Sequence, residues 1–328
     1  MVCAVALAQE ANPAAGGPAS PPLGQLESVV VSGKVSGPGM WQVYRDDAHT
    51  LWILGTVKPL PANIEWDATS VRDMVKQAQE VLWYPGYAVN VKANLFQQAL
   101  LGYGYWRAQN NPDGKSLKDV LDPALYARWQ QAKAKYLPRN SSVENKRPLV
   151  AAEELLDAAT RRAGLSSKYS FHGAMKPTMD EAGVTSRYPQ FKVDVSNAVA
   201  KTALADIRRT SLDDARCLAA TLDAIDSDVP RMVANANAWS HGEVARIHYA
   251  TLSRRNSLCS DSMISPEFSA RYGLPNIEKS VADLWIKEAQ SALARNAVTV
   301  AFVPMEGLTG PGNLMDRLRT MGYTVSDP

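Results

Sequence analysis

Two apolar runs that lie far apart in the chain constrain its fold more than any other feature. Leu51 to Val57 reads LWILGTV and Val298 to Val303 reads VTVAFV, so apolar residues follow one another directly in both runs. Because neighbouring residues of a strand point to opposite faces of a sheet, such runs predict strands that are covered on both faces. The two runs therefore predict a central sheet whose strands come from both ends of the chain.

Further strands and helices are predicted beside both runs. Strands that alternate with helices in this way are typical of an open α/β sheet. In chain order, the predicted segments are strands at Glu27 to Ser32 and Met40 to Tyr44, a helix at Asp67 to Gln79, a strand at Glu80 to Trp83, a helix at Asn313 to Thr320 closed by Gly322, and a strand at Tyr323 to Val325.

The middle of the chain, from about 95 to 295, is predicted to be mainly helical. Asp122 followed by Pro123 is typical of an N-cap residue with proline at the first helical position. Another helix is predicted from Pro148 to Gly164, and Phe191 to Val195 predicts one additional strand. The expected fold class is α/β, with a sheet built from the N- and C-terminal segments and a large, mainly helical middle region. One domain is expected over 27–328, with the helical insertion at about 95–295.

The N-terminal segment resembles an export signal. Val2 to Ala8 is a short apolar run that ends in small residues, which is typical of a secretory signal peptide. We interpret 1–8 as such a signal whose true start lies upstream, and 9–26 as a flexible leader rich in Pro, Ala and Gly. The alternative is a disordered tail on a cytosolic protein. No later run approaches the ~20 apolar residues of a membrane-spanning helix, so a periplasmic or secreted protein is expected.

Cys217 and Cys259 are predicted to form a disulfide. Of the three cysteines, Cys3 lies in the signal-like segment, which leaves an even pair, as expected in an oxidising compartment. Cys217 lies in a helix that is predicted to begin at the capping-box-like SLDD of Ser211. The alternative is two unrelated buried thiols.

Composition and motifs exclude several classes of function. The formal net charge is only +2 and both signs are mixed along the chain, with no basic stripe interleaved with aromatic residues. This pattern argues against a nucleic-acid partner. The sequence also has no GxSxG, HExxH, P-loop or dinucleotide-binding motif.

Several short motifs in a fixed order resemble the TraB/GumN family, which is related to the Tiki metalloproteases. The motifs are Trp41-Gln42-Val43, Leu54-Gly55-Thr56, the AWSHGE of Ala238 to Glu243, Leu308-x-Gly310 and Met321 to Val325. Each motif alone is modest, but together they extend the resemblance over roughly 40–325.

The resemblance implies a divalent metal, such as zinc or manganese, at positions where this sequence lacks ligands. In the family, a histidine ends the first loop, a second histidine lies in the last loop, and a carboxylate follows the first helix. Here the first histidine position is Lys58 and the second, aligned on Leu308 and Gly310, is Gly307. The carboxylate strand, Val81 to Pro85, contains no acid. An ammonium group repels a cation and glycine has no side chain, so the metal site is predicted to be lost.

The expected cleft lies between the loops that follow the two apolar runs, since sites in α/β sheets lie where strands end. Its candidate residues are Gly55, Thr56, Lys58, Glu306, Gly307, Gly310 and Glu243. One hypothesis is that Lys58 and Glu306 form an ion pair in place of the metal; the alternative is that Lys58 faces solvent. A second hypothesis is that Gly307, Gly310 and Gly312 form an anion site before a helix; the alternative is an ordinary glycine loop. Glu243 is either a cleft residue or the first-turn acid of a helix.

The four histidines are not predicted to rebuild a metal site. His241 and His248 are predicted on one helix face at a spacing of seven, about 10.5 Å along the axis, which is too far apart for one ion. His49 is predicted in a hairpin turn and His172 in a polar loop. All four are interpreted as surface or capping residues.

Three classes of function follow from these observations. The first is a non-catalytic protein, without a cofactor, that binds a peptide or an envelope component in the former active-site cleft. The second is a metal-dependent hydrolase or peptidase with replacement ligands, and the third is a structural or assembly protein of the envelope. The aromatic residues Trp83, Tyr84, Tyr87, Tyr103, Tyr105 and Trp106 are either a peptide-binding wall or packing residues.

Overall fold

A computed structural model describes residues 37–328, apart from 62, 210–213, 248–249, 264 and 311. The predicted signal at 1–8, the leader at 9–26, the strand at Glu27 to Ser32, the helix start at Ser211 and the placement of His248 lie outside the described residues.

The described residues alternate between strands and helices at both ends and are mainly helical between them. The strands are β1 Met40–Asp46, β2 His49–Thr56, β3 Leu60–Pro61, β4 Glu80–Trp83, β5 Gly86–Lys92, β6 Leu165–Ser166, β7 Thr185–Arg187, β8 Gln190–Ser196, β9 Val298–Pro304 and β10 Thr324–Ser326. The helices are α1 Thr69–Gln77, α2 Leu95–Ala108, α3 Leu117–Val120, α4 Pro123–Tyr136, α5 Pro148–Arg162, α6 Phe171–Ala182, α7 Asn197–Arg209, α8 Asp214–Ser227, α9 Val229–Ser240, α10 Ala250–Met263, α11 Pro266–Tyr272, α12 Ile277–Arg295 and α13 Leu314–Thr320. Short 3₁₀ turns cover Pro112–Gly114, Ser142–Asn145, Val244–Arg246 and Met305–Gly307.

The main sheet has the order β10-β1-β2-β9-β4-β7. Strands β2, β9, β4 and β7 are parallel, whereas β1 is antiparallel to both β2 and β10. The sheet therefore joins segments from both ends of the chain, as predicted. One edge of the sheet differs from this prediction, because its strand β7 comes from the middle of the chain and pairs with β4.

The two apolar runs are the central strands β2 and β9, as predicted. They pair in parallel, with Ile53 opposite Ala301 and Leu54 opposite Phe302. Consecutive residues such as Ile53 and Leu54 are fully buried, so both faces of the strand are covered. Helix α12 packs against β2, β9 and β4, and α1 packs against β9.

Local signals start the helices at the predicted places. The Asp122 carboxylate accepts hydrogen bonds from the backbone N–H groups of Ala124 and Leu125 and so caps α4. Leu125 and Trp129 then bury one face of that helix. At the end of the chain, the Asn313 side chain caps α13 by accepting from the Asp316 N–H.

A two-stranded sheet joins a strand of the middle region to a strand just before that region. The predicted strand at Phe191 to Val195 is β8, and it pairs in parallel with β5, which the sequence analysis did not predict. The alternation of Tyr87, Val89 and Val91 with smaller or polar residues is the signal that was available for β5. Helix α9 ends at Ser240, so the predicted helix shared by His241 and His248 is wrong.

Cys217 and Cys259 form a disulfide between α8 and α10, as predicted, with an S–S distance of 2.02 Å. Both residues are buried, and α8 also packs against α5 and α9. The bridge therefore fixes the centre of the helical region. Within the described part of the chain, no helix is long and apolar enough to cross a membrane.

Candidate functional site

A pocket of about 370 Å³ lies where the central parallel strands end. Thr56 ends β2, Trp83 ends β4 and Pro304 ends β9, and all three line the pocket. Register pairs join Thr56 to Pro304 and Trp83 to Phe302, so these strand ends lie side by side. The pocket is therefore at the carboxyl edge of the sheet, where ligand sites of α/β folds are usually found.

The first loop of this cleft is held by a buried hydrogen bond from the helical region. The Nε1 of Trp239 donates to the carbonyl of Gly55 at 2.6 Å, and only 1% of the Trp239 side chain is exposed. A Cβ at Gly55 would lie 2.6 Å from the Met305 Cε and 3.1 Å from the Trp41 ring, so a larger residue there would require Met305 to move. The AWSHGE motif thus contributes a structural anchor, while Thr56 and Lys58 line the pocket itself.

A short strand pair brings a distant segment to the cleft. Leu60 and Pro61, just after the first loop, pair with Ser166 and Leu165. The residues that follow this pairing, 167–172, therefore lie beside Lys58 and line the pocket. Ser170 caps α6 by accepting from the Gly173 N–H, and the helix begins at Phe171.

Aromatic rings form most of the pocket wall. Trp83 stacks on Phe302 at 4.4 Å between ring centroids and on Tyr188 at 5.5 Å. His172 packs edge-on against both Trp83 and Tyr188. The aromatic residues that line the pocket are Trp83, Tyr84, Tyr169, Phe171, Tyr188 and Phe302. Burial raises the pKa of Tyr84, and the negative charge of Glu278 adds to this effect.

Only two members of the predicted aromatic wall belong to this pocket. Trp83 and Tyr84 line it, whereas Tyr87, Tyr103, Tyr105 and Trp106 are exposed elsewhere. The wall is completed by Tyr169, Phe171 and Tyr188, which the sequence analysis did not select. The available signal was the aromatic cluster YSFH at 169–172, next to the helix start at Ser170.

His172 lies in the pocket, which corrects its predicted placement in a polar surface loop. It is the second residue of α6, and its ring contacts two other pocket residues. His49 lies at the β1–β2 turn, as predicted, and its Nδ1 lies 3.0 Å from the Asp46 carboxylate. His241 directly follows α9, where its Nδ1 lies 2.7 Å from the Asn237 carbonyl.

The proposed Lys58–Glu306 ion pair is not formed. No salt bridge within 4.0 Å joins the two, and both side chains are exposed. Glu306 lies in the 3₁₀ turn after β9, and Lys58 alone of the pair lines the pocket. Desolvation by neighbouring protein atoms raises the pKa of the Glu306 carboxyl, although part of the side chain remains in contact with solvent.

The glycine loop after β9 faces away from the pocket. A Cβ at Gly307 would lie 3.3 Å from Leu314 Cδ1 and 3.8 Å from Val303 Cγ1, so this position points towards the start of α13. The Gly310 carbonyl accepts a hydrogen bond of 2.7 Å from the Asn313 side chain. Gly307 therefore ends the 3₁₀ turn after β9, Gly310 contacts the N-cap residue of the seven-residue helix α13, and neither is among the described residues that line the pocket.

Glu243 also lies outside the pocket. Its carboxylate forms an exposed ion pair with Arg246 at 2.6 Å. The preceding Gly242 has a φ of 75° and packs against the backbone of Gly37 and Gly39. This positive φ favours glycine and turns the chain out of α9.

The residues at the pocket do not fit a divalent metal site. Its lining offers one imidazole, from His172, together with the ammonium groups of Lys58 and Lys168, and no carboxylate. A zinc site needs three or four N, S or O ligands, and adjacent ammonium groups repel a cation. Across the described residues, no group of three His, Cys, Asp or Glu side chains is placed to hold a metal ion.

Comparison with known proteins identifies the family. Comparison of the chain with curated proteins and with solved structures found no match. A sequence model of the TraB/PrgY/gumN family matches residues 39–327, which is nearly the whole described part of the chain. The matched region includes the first loop, the Trp239 anchor and the last loop. The chain therefore belongs to the TraB/PrgY/gumN family.

Proposed function

We propose that this protein is a non-catalytic, exported member of its family that binds a peptide in the cleft at the ends of β2, β4 and β9. The observation that carries the proposal is the chemistry of the pocket lining. Aromatic rings surround an opening that two lysines line, and one of them, Lys58, occupies the position of the family's first histidine. An aromatic and cationic lining of this kind supports binding of a ligand, and the described lining residues include no carboxylate that could hold a metal ion to activate water.

The aromatic wall favours an apolar side chain as one part of the ligand. The stack of Tyr188, Trp83 and Phe302 presents flat surfaces, and Trp83 is fixed by a hydrogen bond of 2.9 Å to Ser186. Because Trp83 is only 9% exposed, the wall is preformed and needs little ordering on binding.

The lysines favour a carboxylate as the other part of the ligand. Lys58 and Lys168 are exposed at the pocket, and neither has an ion-pair partner within 4.0 Å among the described residues. No acidic side chain of the described chain lines the pocket. The peptide that fits best therefore carries an aromatic or aliphatic side chain next to an acidic side chain or a terminal carboxylate.

Two features support action outside the cytoplasm. The disulfide between Cys217 and Cys259 is typical of proteins from oxidising compartments. The apolar run near the start of the sequence resembles a secretory signal. Fractionation of cells that express the full coding sequence tests this part of the proposal. Recovery of the protein with free Cys217 and Cys259 thiols in the cytosol contradicts it.

Peptide binding is tested with a library of short peptides against the purified full chain. We expect peptides that pair an aromatic residue with a carboxylate to bind, with an affinity that falls as salt concentration rises. K58E should weaken binding about tenfold or more, because it replaces attraction by repulsion at the same place. K118E is the matched control, since Lys118 is exposed on α3 away from the pocket.

The metal-dependent hydrolase is the outcome that would overturn the proposal. Purified protein would then contain stoichiometric zinc or manganese, and H172A would release it. Peptide cleavage that is removed by a chelator would lead to the same conclusion. Unchanged peptide affinity in both K58E and Y188A would show that the pocket is not the binding site.

A further inference from the structure

A second cavity, of about 600 Å³, lies between the two-stranded sheet of β5 and β8 and the helices α2 and α7, which follow these strands. Among the described residues, it shares no lining residue with the cleft at the ends of β2, β4 and β9. Its volume is within the ~300–1,000 Å³ usual for small-molecule sites.

The floor of the cavity consists of four valines on one face of the small sheet. Val89 is paired with Val193, and Val91 with Val195, and all four line the cavity. The register places these two pairs on the same face, since residues two apart in a strand point the same way. The backbone polar groups of β5 and β8 lie in the plane of the sheet, so this floor offers a ligand only hydrocarbon.

The walls are also largely apolar and include small residues where two helices face each other. Helix α2 contributes Gly102 and Ala108, and α7 contributes Ala200 and Ala203. Helices α2 and α7 pack against each other. A Cβ added at Gly102 would meet no atom within 4 Å, so the space beside this residue is open. Well-packed protein interiors seldom leave a void of this kind between helices.

The polar side chains among the described lining residues are few. Arg147 is 5% exposed, and its guanidinium donates to the Asp214 carboxylate at 2.7 Å and to the Ile207 carbonyl at 2.7 Å. Gln109 and the hydroxyl of Tyr105 are the other polar side-chain groups of the lining. Helical backbone groups bond along their own helices, so the walls offer almost no hydrogen-bond partners to a ligand.

This lining disfavours an extended peptide as the occupant. Most amides of such a peptide would lose their water and find no partner on the valine floor or the apolar walls, which is strongly unfavourable. A flexible hydrocarbon has no such groups and gains from every methylene that it buries. We propose that this cavity binds a single linear acyl chain, either of a free fatty acid or of a lipid, with its polar head at the opening.

Binding is measured by isothermal titration of the full chain with saturated fatty acids from octanoate to stearate, each below its micelle concentration. We expect affinity to rise about fourfold for each added methylene until the cavity is full. A monoacyl phospholipid with a palmitoyl chain distinguishes the sources. Equal affinity for palmitate and this lipid indicates that the chain alone is recognised, and preference for either identifies the head group.

Cavity-filling variants test the location. G102F should reduce palmitate affinity more than tenfold, because excluding about two methylenes removes a factor of about sixteen. A203L narrows the same space from α7 and should act in the same direction, even if G102F folds poorly. G102A adds only a methyl group and should bind palmitate as wild type does. A99F adds the same ring as G102F on an exposed position of α2 outside the cavity and is the second control.

Absence of binding for every acyl chain tested would overturn the inference. So would an affinity that does not depend on chain length, or one that G102F and A203L leave unchanged. Failure of peptide binding at the other cleft has no bearing on this result, since the two sites share no lining residue.

Discussion

Trp239 shows how one side chain links the helical region to the loop that bears Lys58. Its indole lies among Trp66 and Phe171, with ring centroids 5.2 Å and 5.5 Å away, and its N–H reaches the Gly55 carbonyl. Both the ring and the hydrogen bond are buried. The motif around Trp239 therefore positions one side of the cleft without lining it.

Replacing this indole should destabilise the protein. W239F removes the hydrogen bond to Gly55 and leaves a space where the larger ring packed, and we expect a loss of about 2–3 kcal/mol in the free energy of unfolding. Denaturant unfolding measures it. W66F removes a partly exposed bond to the Tyr169 hydroxyl and should cost less. Equal losses in both variants would contradict the anchoring role of Trp239.

The carboxyl of Glu306 should make stability depend on pH. Desolvation raises its folded-state pKa above the ordinary value of 4.5. Between that pH and the raised pKa, the folded protein retains a proton that the unfolded chain has released, so stability falls as pH rises through this window.

E306Q removes this dependence. The variant should be more stable than wild type at neutral pH, and the difference should shrink as the pH is lowered to 4.5 and below. Thermal unfolding across this range measures the effect. E65Q, at an exposed glutamate, controls for the loss of one negative charge. A difference between E306Q and wild type that is constant with pH would rule out the desolvated carboxyl as its cause.

At the scale of elements, the disulfide joins helices α8 and α10, which are separated in the chain by helix α9. Cys217 in α8 and Cys259 in α10 are 42 residues apart, and their helices pack closely. A bridge of this span restricts the unfolded chain and so stabilises the folded one. Its position among α5, α8 and α10 links it to the core of the helical region rather than to either site.

Removing both cysteines together should lower the free energy of unfolding by about 4 kcal/mol. C217A/C259A avoids leaving a single reactive thiol, and denaturant unfolding of this variant and of wild type gives the difference. Reduced wild type should resemble the variant. If a reductant leaves the unfolding of wild type unchanged, the bridge is absent from the purified protein.

At the scale of the molecule, β9 holds together parts of the fold that come from opposite ends of the chain. It pairs with β2 on one side and with β4 on the other. Strand β10, in contrast, pairs only with β1 at the sheet edge. Loss of β9 should therefore separate β2 from β4, whereas loss of β10 should affect only the edge strand pairing with β1.

Truncation separates these two roles. A chain that ends at Asn296 lacks β9 together with α13 and β10, and it should not unfold cooperatively, because β2 and β4 then have no strand between them. A chain that ends at Gly322 lacks only β10 and should still fold, with a loss of about 1–3 kcal/mol from its three cross-strand pairs. Circular dichroism during heating measures both. A cooperative transition in the shorter chain would contradict the central role of β9.

The sequence by itself determined the elements whose signals are local. Consecutive apolar residues at Leu51 to Val57 and Val298 to Val303 predicted two central strands, because burial on both faces leaves that pattern. The cap at Asp122 predicted where α4 begins, since a cap needs only its neighbouring residues. The sequence also predicted the family and the pairing of the two cysteines. It placed Thr56 and Lys58 in the loop after β2, and both residues line the pocket.

Only the tertiary structure decided which distant segments share a site. Pairing of Leu60 with Ser166 placed His172 in the cleft, and the strand β7 placed Tyr188 beside Trp83. Hydrophobic patterns report whether a residue is buried, but they carry no information on the residue that covers it. The same limit applies to the acyl-chain cavity, whose valines become one surface only through the register of β5 and β8.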